Sequence, residues 1–166
     1  MPPSALAVTV RDATPADHAV VAEFNRLLAW ESESKALDPA VLARGVTRAL
    51  ADPDRLRYWL AVTPADGRPV GQVAVTREWS DWRNGWVWWL QSVYVVADAR
   101  RRGVLRALYA HVRSLARAAP DVIGLRLYVE DNNADAQSTY RSLGLVPGGY
   151  HVFEELWRER FHRPDD

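Results

Sequence analysis

The 166-residue chain contains no cysteine, so disulfide bonds, a thiolate nucleophile and thiolate metal sites are excluded. The charges of its 21 basic and 21 acidic side chains sum to zero. Net charge therefore does not favour nucleic acid or a membrane surface as a partner. The four histidines do not have the spacing of metal ligands, so no metal site is expected. They are His18, His111, His151 and His162.

The sequence also has no apolar run long enough to cross a bilayer, and its first residues lack a basic segment followed by a long apolar core. A cytoplasmic location is therefore the default expectation. The length suits one domain over residues 1–166, and the 48% hydrophobic content can supply a sizeable core.

The most informative stretch is residues 89–109, where an apolar strand runs through an Arg/Gly turn into an amphipathic helix. Residues 92–96 are β-branched and aromatic, which favours a buried strand. Three arginines then precede Gly103, which has no Cβ to keep a ligand oxygen from the backbone. N–H groups in such a turn and at a helix start bind phosphate groups, so the junction is a candidate anion site. Arginines in this position are also common on a solvated face.

A second strand and helix follow in the same order. Residues 124–129 favour a strand, residues 130–133 a polar turn, and residues 134–143 a helix that ends at Gly144. This repetition favours two adjacent strands with their helices packed on the sheet.

These two segments carry motifs that resemble the GNAT superfamily of acetyl-CoA-dependent N-acetyltransferases. The family's cofactor loop, Q/R-x-x-G-x-G/A, is occupied by Arg100, Arg101, Arg102, Gly103, Val104 and Leu105, with leucine at the final small position. The family's second motif, N-x-x-A-x-x-x-Y-x-x-L-G-F, is matched by Asn133, Ala136, Tyr140, Leu143 and Gly144, with Leu145 in place of Phe. The resemblance implies an α/β fold of the α+β mixed-sheet type. It has about six to seven mostly antiparallel strands, about four helices and a splayed parallel strand pair that holds the cofactor.

The resemblance also implies where acetyl-CoA binds. The pantetheine arm would pair with the strand before the loop as an added strand, and the pyrophosphate would meet residues 101–106. The thioester carbonyl would point at a backbone N–H near Val93 or Tyr94. If Leu105 has helical dihedrals, its N–H stays available to a phosphate. The cofactor-binding residues are therefore expected to be Val93, Tyr94, Val95, Arg100, Arg101, Arg102, Gly103, Val104, Leu105, Arg106 and Asn133, of which Asn133 is also a helix cap.

For catalysis, the family uses a tyrosine at the position of Tyr140 to donate a proton or a hydrogen bond to the departing CoA sulfur. Simple packing of this tyrosine on its helix is the alternative. An amine nucleophile must also lose a proton before it attacks. Many members carry an acid near the position of Gln91, which cannot take a proton. Glu78, at the end of a strand predicted over residues 73–79, is the leading substitute, although an ordinary surface carboxylate is at least as consistent with the sequence.

The acceptor site is the least constrained part of the prediction. The Asn84-Gly85 pair signals a hairpin flanked by tryptophans, of which Trp79 is a candidate for the acceptor pocket, although core or interface packing is the safer interpretation. Glu31 and Glu33, expected in a loop between two helices, could attract a cationic amine or be merely solvated. The acceptor would be a small-molecule or peptide amine.

The remaining segments predict the rest of the sheet. Residues 7–11 and 57–63 favour strands, and helices are expected to begin near Thr14 and Asp38. Residues 150–156 favour a terminal strand that carries His151 and Glu154, two secondary candidates for the base. Such a strand could complete the sheet, wall the pocket or pair with another subunit in a homodimer. A non-catalytic acyl-CoA-binding sensor or regulatory module is the alternative to a catalytic acetyltransferase.

Overall fold

The structure is a computed structural model that describes residues 4–157 and 161–162. Its four α-helices are α1 (His18–Glu33), α2 (Pro39–Ala51), α3 (Val104–Ala118) and α4 (Ala134–Ser142). Its strands are β1 (Thr9–Asp12), β2 (Ala36–Leu37), β3 (Arg57–Val62), β4 (Pro69–Ser80), β5 (Gly85–Val95), β6 (Val122–Leu127) and β7 (Phe161–His162). Among these described residues, no helix is both long enough and apolar enough to span a bilayer.

The main sheet has five strands in the order β1-β3-β4-β5-β6. All its neighbours are antiparallel except β5 and β6, which are parallel. The short strands β2 and β7 form a separate antiparallel pair. The predicted mixed, mostly antiparallel sheet is thus confirmed, with fewer strands than the six to seven expected.

The strand predicted over residues 150–156 is wrong, because this segment has no regular secondary structure. Strand propensity mainly reflects how well a side chain packs on a neighbouring strand. Here no strand pairs with the segment in the described structure, and Phe153 is 95% exposed. His151 and Glu154, the secondary base candidates, lie in this exposed segment.

The sheet is covered on both faces. On one face, Leu108 and Val112 of α3 pack against Trp59 and Val73. The other face is covered by α1 and α2, whose core contains Val21, Phe24, Val46, Ala49 and Leu50. Burial of each large apolar side chain contributes roughly 1.5–3 kcal/mol, so both layers hold the strands firmly and fix the ends of β5 and β6 in space.

Local sequence signals explain where the elements begin and end. The Asp38 carboxylate accepts hydrogen bonds from the N–H groups of Ala40 (2.8 Å) and Val41 (2.9 Å), so it caps α2 as predicted. Asn84 has a left-handed backbone (φ +47°) at the end of the turn between β4 and β5, which confirms the predicted hairpin. Helix α1 runs two residues past the expected end at Glu31, so Glu31 and Glu33 belong to its last turn rather than to a loop.

Candidate functional site

Strands β5 and β6 separate toward their C-terminal ends. Their pairing runs from Trp86 with Val122 to Leu90 with Leu127, where β6 ends, while β5 continues to Val95. The splayed parallel pair expected from the sequence is therefore present. A cleft opens beside residues 91–95 of β5, whose edge on that side has no β6 partner.

The cleft begins at a β-bulge in β5. Two residues, Ser92 and Val93, lie opposite the single residue Val73 of β4. Ser92 has a left-handed backbone (φ +49°), which is uncommon for a residue with a side chain. Bulges of this kind redirect the backbone groups that follow them.

The hydrogen bonding of β5 with β4 indicates the direction of the Val93 N–H. The N–H of Val96 donates to the carbonyl of Val70 in β4 (3.0 Å). Because N–H groups alternate in direction along an extended strand, the N–H of Tyr94 also faces β4. The N–H groups of Val93 and Val95 therefore face the opposite side, where β6 has diverged. Of the two donors considered from the sequence, Val93 is the one with an N–H directed at the open cleft.

The turn after β5 leads directly into α3. Arg101 (φ +58°) and Gly103 (φ +89°) both have left-handed backbones, and a Cβ on Gly103 would meet no atom within 4 Å. Helix α3 begins at Val104, so Leu105 is already helical. Ala107 is the residue that donates to the carbonyl of Gly103 (3.0 Å). The N–H groups before Ala107 belong to the first helical turn, which has no partners within the helix and can bind an anion.

Arg100 is held by protein groups. Its guanidinium forms an ion pair with Glu31 of α1, and its Nε donates to the carbonyl of Val95 (2.9 Å). The Tyr94 hydroxyl donates to the same Glu31 carboxylate (2.9 Å). The bond from Arg100, and to a lesser extent that from Tyr94, lowers the pKa of Glu31. These residues fasten the end of α1 to the end of β5 at the entrance of the cleft.

The other arginines of the predicted loop differ in their surroundings. The Arg102 Nε donates to the carbonyl of Ser4 (3.1 Å), and the Arg102 carbonyl accepts from the N–H of Leu6 (2.9 Å). Arg101 and Arg106 are exposed, and neither side chain has a hydrogen bond or ion pair with the part of the chain that the structure describes. The cations available to an anion at the start of α3 are thus Arg101 and Arg106.

Helix α4 presents Tyr140. Asn133 caps this helix as predicted, because its side-chain oxygen accepts from the N–H of Ala136 (3.0 Å). Tyr140 is half-buried, and burial raises the pKa of its phenol above the ordinary value. Its hydroxyl has no hydrogen-bond partner within residues 4–157. The phenol is therefore protonated at neutral pH and free to donate.

Both carboxylate oxygens of Glu78 accept a hydrogen bond. One accepts from the Trp89 indole N–H (2.7 Å), and the other from the Arg126 guanidinium (3.1 Å). Trp89 stacks on Tyr128 with 4.3 Å between ring centroids. To take a proton, Glu78 would have to give up or share one of these contacts.

The other predicted acceptor residues do not gather around Glu78. Trp79 follows Glu78 along β4 and so faces the opposite side of the sheet, where it packs edge-to-face with Trp86 at 5.0 Å. Glu33 forms an ion pair with Lys35. With Glu31 bound to Arg100, both acidic side chains proposed to attract an amine already have a cationic partner.

A polar cluster behind the bulge was missed from the sequence. Gln72 is fully buried, and its Nε2 donates to Asn25 Oδ1 (2.8 Å) and to the Ser92 carbonyl (3.0 Å). Asn25 Nδ2 donates to Tyr58 Oη (3.1 Å), which lies 3.5 Å from Ser92 Oγ. The one available signal was a glutamine within the otherwise apolar strand of residues 70–75. The Asn25 and Tyr58 partners come from distant parts of the chain.

Known proteins share the fold of this chain. Residues 21–145 match the model of the acetyltransferase (GNAT) family. A possible acetyltransferase from Clostridium difficile 630 is 36% identical, with 92% of this chain and 99% of that chain covered and a TM-score of 0.84. No match was found among curated proteins.

More distant solved structures share the fold. A probable acetyltransferase is 20% identical over 92% of this chain and 99% of its own, with a TM-score of 0.79. An aminoglycoside acetyltransferase from an uncultured soil metagenomic sample is 17% identical over 91% of this chain and 99% of its own, with a TM-score of 0.70.

Proposed function

Because the chain belongs to the acetyltransferase (GNAT) family, we propose that it transfers an acetyl group from acetyl-CoA to a primary amine by direct attack in a ternary complex. The observation that carries the proposal is the cleft between β5 and β6: on one wall, residues 91–95 of β5 extend beyond their pairing with β6 in the described structure, and the start of α3 lies at its end. An extended pantetheine arm can pair with such a wall as an added strand. The acceptor is a small-molecule or peptide amine.

In this proposal the cofactor runs along the open edge of β5. The N–H groups of Val93 and Val95 face the arm, and the pyrophosphate binds the first turn of α3 with Arg101 and Arg106 beside it. The Val93 N–H donates to the thioester carbonyl, whose oxygen gains negative charge as the amine attacks. Leu105 does not disturb this placement, because its backbone is helical.

Tyr140 is the proposed general acid. The amine nitrogen forms a bond to the acetyl carbon, the carbon–sulfur bond breaks, and the phenol proton passes to the departing CoA sulfur. The raised pKa of Tyr140 keeps that proton in place at neutral pH. Since a free thiol has a pKa of about 8.5, its thiolate can also leave unprotonated, and Tyr140 accelerates the step without being indispensable.

Glu78 remains the proposed acceptor of the amine proton, acting through water. Its position on the α1 and α2 face of the sheet, the face of Gln91 and Tyr94, supports this role. Its contacts with Trp89 and Arg126 count against a direct transfer.

A homodimer also remains a proposal, supported by exposed apolar side chains such as Phe153 and Trp157.

Release of CoA thiol from acetyl-CoA across a panel of primary amines tests the proposal, with cofactor binding measured in parallel by calorimetry. We expect amine-dependent release that falls about ten- to a hundred-fold in kcat in Tyr140→Phe. Tyr109→Phe, a buried tyrosine on α3, is the matched control and should behave as the wild type. Normal kcat in Tyr140→Phe would contradict the acid role.

The same assay distinguishes the alternative function, an acyl-CoA-binding sensor without turnover. The specific observation that favours it is the pairing of Glu31, Glu33 and Glu78 with cations. Tight acetyl-CoA binding with no amine acetylated would support the sensor. Failure to bind acetyl-CoA would overturn both functions.

A further inference from the structure

Three elements converge on the bulge of β5. Gln72 of β4 lies directly behind it and donates to the Ser92 carbonyl (3.0 Å). The same amide group donates to Asn25 of α1 (2.8 Å), which in turn donates to Tyr58 of β3 (3.1 Å). Side chains therefore connect the bulge to the helix layer and to strands β4 and β3.

These side-chain hydrogen bonds compensate for the backbone hydrogen bonds between β4 and β5 that the bulge interrupts. An extra residue in one strand interrupts the regular backbone pairing, and a buried carbonyl then needs another donor. The Gln72 side chain supplies that donor to Ser92 from within the core. A bulge held in this way has one defined conformation, and the direction of the next peptide group, whose N–H belongs to Val93, is defined with it.

The orientation of the Gln72 amide is itself fixed. Both acceptors, the Ser92 carbonyl and Asn25 Oδ1, require its NH2 group, so a flipped amide would place oxygen against oxygen. The remaining oxygen, Gln72 Oε1, is buried and has no hydrogen-bond donor within the described residues. The unpaired oxygen offsets part of the stability that the two bonds of the NH2 group contribute. The glutamine is therefore better explained by the bulge conformation that it holds than by a net gain in stability of the fold.

We infer that Gln72 is a positioning residue for acetyl transfer: through the Ser92 carbonyl it sets the bulge that aims the Val93 N–H at the thioester carbonyl. Gln72 itself touches neither substrate nor cofactor in this arrangement. The inference rests on the proposed function. It predicts that removal of the Gln72 amide weakens polarisation of the carbonyl while leaving the remaining cofactor contacts in place.

The test uses the full chain with acetyl-CoA labelled with ¹³C at its carbonyl carbon. Infrared difference spectroscopy reports the carbonyl stretch, which falls in frequency when the oxygen accepts a hydrogen bond. Gln72→Met keeps the length of the side chain and removes its two donors. Thr76→Val is the matched control: Thr76 accepts from Gln91 (2.6 Å), the residue before the bulge, so this variant removes a hydrogen bond between the same two strands but keeps the donor to the Ser92 carbonyl.

In the wild type we expect the bound carbonyl stretch to lie below that of free acetyl-CoA. In Gln72→Met it should move back toward the free value, with kcat about ten- to a hundred-fold lower and KM for acetyl-CoA changed by less than about threefold. Thr76→Val should keep the wild-type frequency and kcat. A purely structural role would instead lower the melting temperature and weaken acetyl-CoA binding without a shift of the stretch.

The remaining outcomes are equally decisive. If Gln72→Met folds and keeps the wild-type carbonyl stretching frequency and the wild-type kcat, the inference is overturned. If Gln72→Met does not fold, Asn25→Ala is the second variant, because Asn25 is half-buried and accepts the other hydrogen bond of the Gln72 amide. It should shift the carbonyl stretching frequency in the same direction. A wild-type protein that binds acetyl-CoA with an unshifted carbonyl overturns the inference and the proposed Val93 contact, but not acetyl transfer itself, which the release of CoA thiol measures separately. A wild-type protein that does not bind acetyl-CoA overturns the proposed function and the inference together.

Discussion

Gly103 has a left-handed backbone at the point where the chain enters α3 (φ +89°). A Cβ there would clash with no atom of the protein, so it would project into the open space beside the loop. Glycine is favoured at this position by its backbone conformation and by access for a ligand. Arg101, two residues earlier, has the same left-handed backbone without being glycine, so this short turn already carries some strain.

Gly103→Ala is expected to reduce stability by about 1 kcal/mol, because alanine is strained in the left-handed region. It should also weaken acetyl-CoA binding about tenfold, since the new methyl group lies where the phosphate oxygens approach. Gly149→Ala is the matched control: its backbone is also left-handed (φ +74°) with open space around it, and it lies outside the loop. Thermal unfolding and calorimetry measure both effects. Equal cofactor affinity in the two variants would contradict the loop assignment.

One acidic side chain holds the 3₁₀ turn (Pro15–Asp17) that leads into α1. Asp17 accepts from the N–H of Thr14 (2.8 Å) and forms an ion pair with Arg11 of β1 (2.8 Å). The bond from Arg11 lowers the pKa of Asp17 to about 2, from an ordinary value of 3.8. The carboxylate thus joins the first helix to the edge strand of the sheet, on the layer that covers the bulge.

Asp17→Asn should lower the free energy of unfolding by about 1–2 kcal/mol at neutral pH. Because the folded state lowers this pKa, the stabilisation is present above pH 4 and is lost as the pH falls through about 2. The difference in free energy of unfolding between the wild type and Asp17→Asn should therefore disappear as the pH falls from 4 to about 2. Asp12→Asn, which removes a solvent-exposed pair with Arg57, should change stability by no more than about 0.5 kcal/mol. Urea unfolding as a function of pH measures both, and a constant difference at all pH values would contradict the assignment.

Elements with short-range signals could be predicted from the sequence, and those that depend on a distant partner could not. The run from β5 through the Arg/Gly turn into α3 has its periodicity, its breaker and its glycine within one segment. Residues 150–156 have the composition of a strand, but a strand also needs a partner, and composition does not state whether one exists. The expected end of α1 at Glu31 missed the last two residues for a related reason, because the left-handed Ser34 that ends the helix carries no glycine signal.

Across the chain as a whole, the sequence motifs indicated the wall of the cleft but not what supports it. The loop at Gly103, the cap at Asn133 and the helix with Tyr140 all lie in the second half of the chain, where the motifs are continuous. The support of the bulge combines Asn25, Tyr58 and Gln72, which are brought together by the stacking of α1 on the sheet. The contacts that occupy Glu31 and Glu78 are also long-range. Pairings of this kind follow from tertiary packing, so a sequence pattern alone could not give them.

The most direct measurement is a titration of the ¹⁵N-labelled protein with acetyl-CoA, followed by the backbone amide resonances. We expect the amides of Val93, Val95 and residues 103–106 to shift on binding. Val93 should differ most between acetyl-CoA and CoA, which lacks the carbonyl. Amides that face β4, such as Tyr94, should shift less. If acetyl-CoA leaves the amides of β5 and the start of α3 unchanged, or shifts residues elsewhere instead, the placement of the cofactor in this cleft is contradicted.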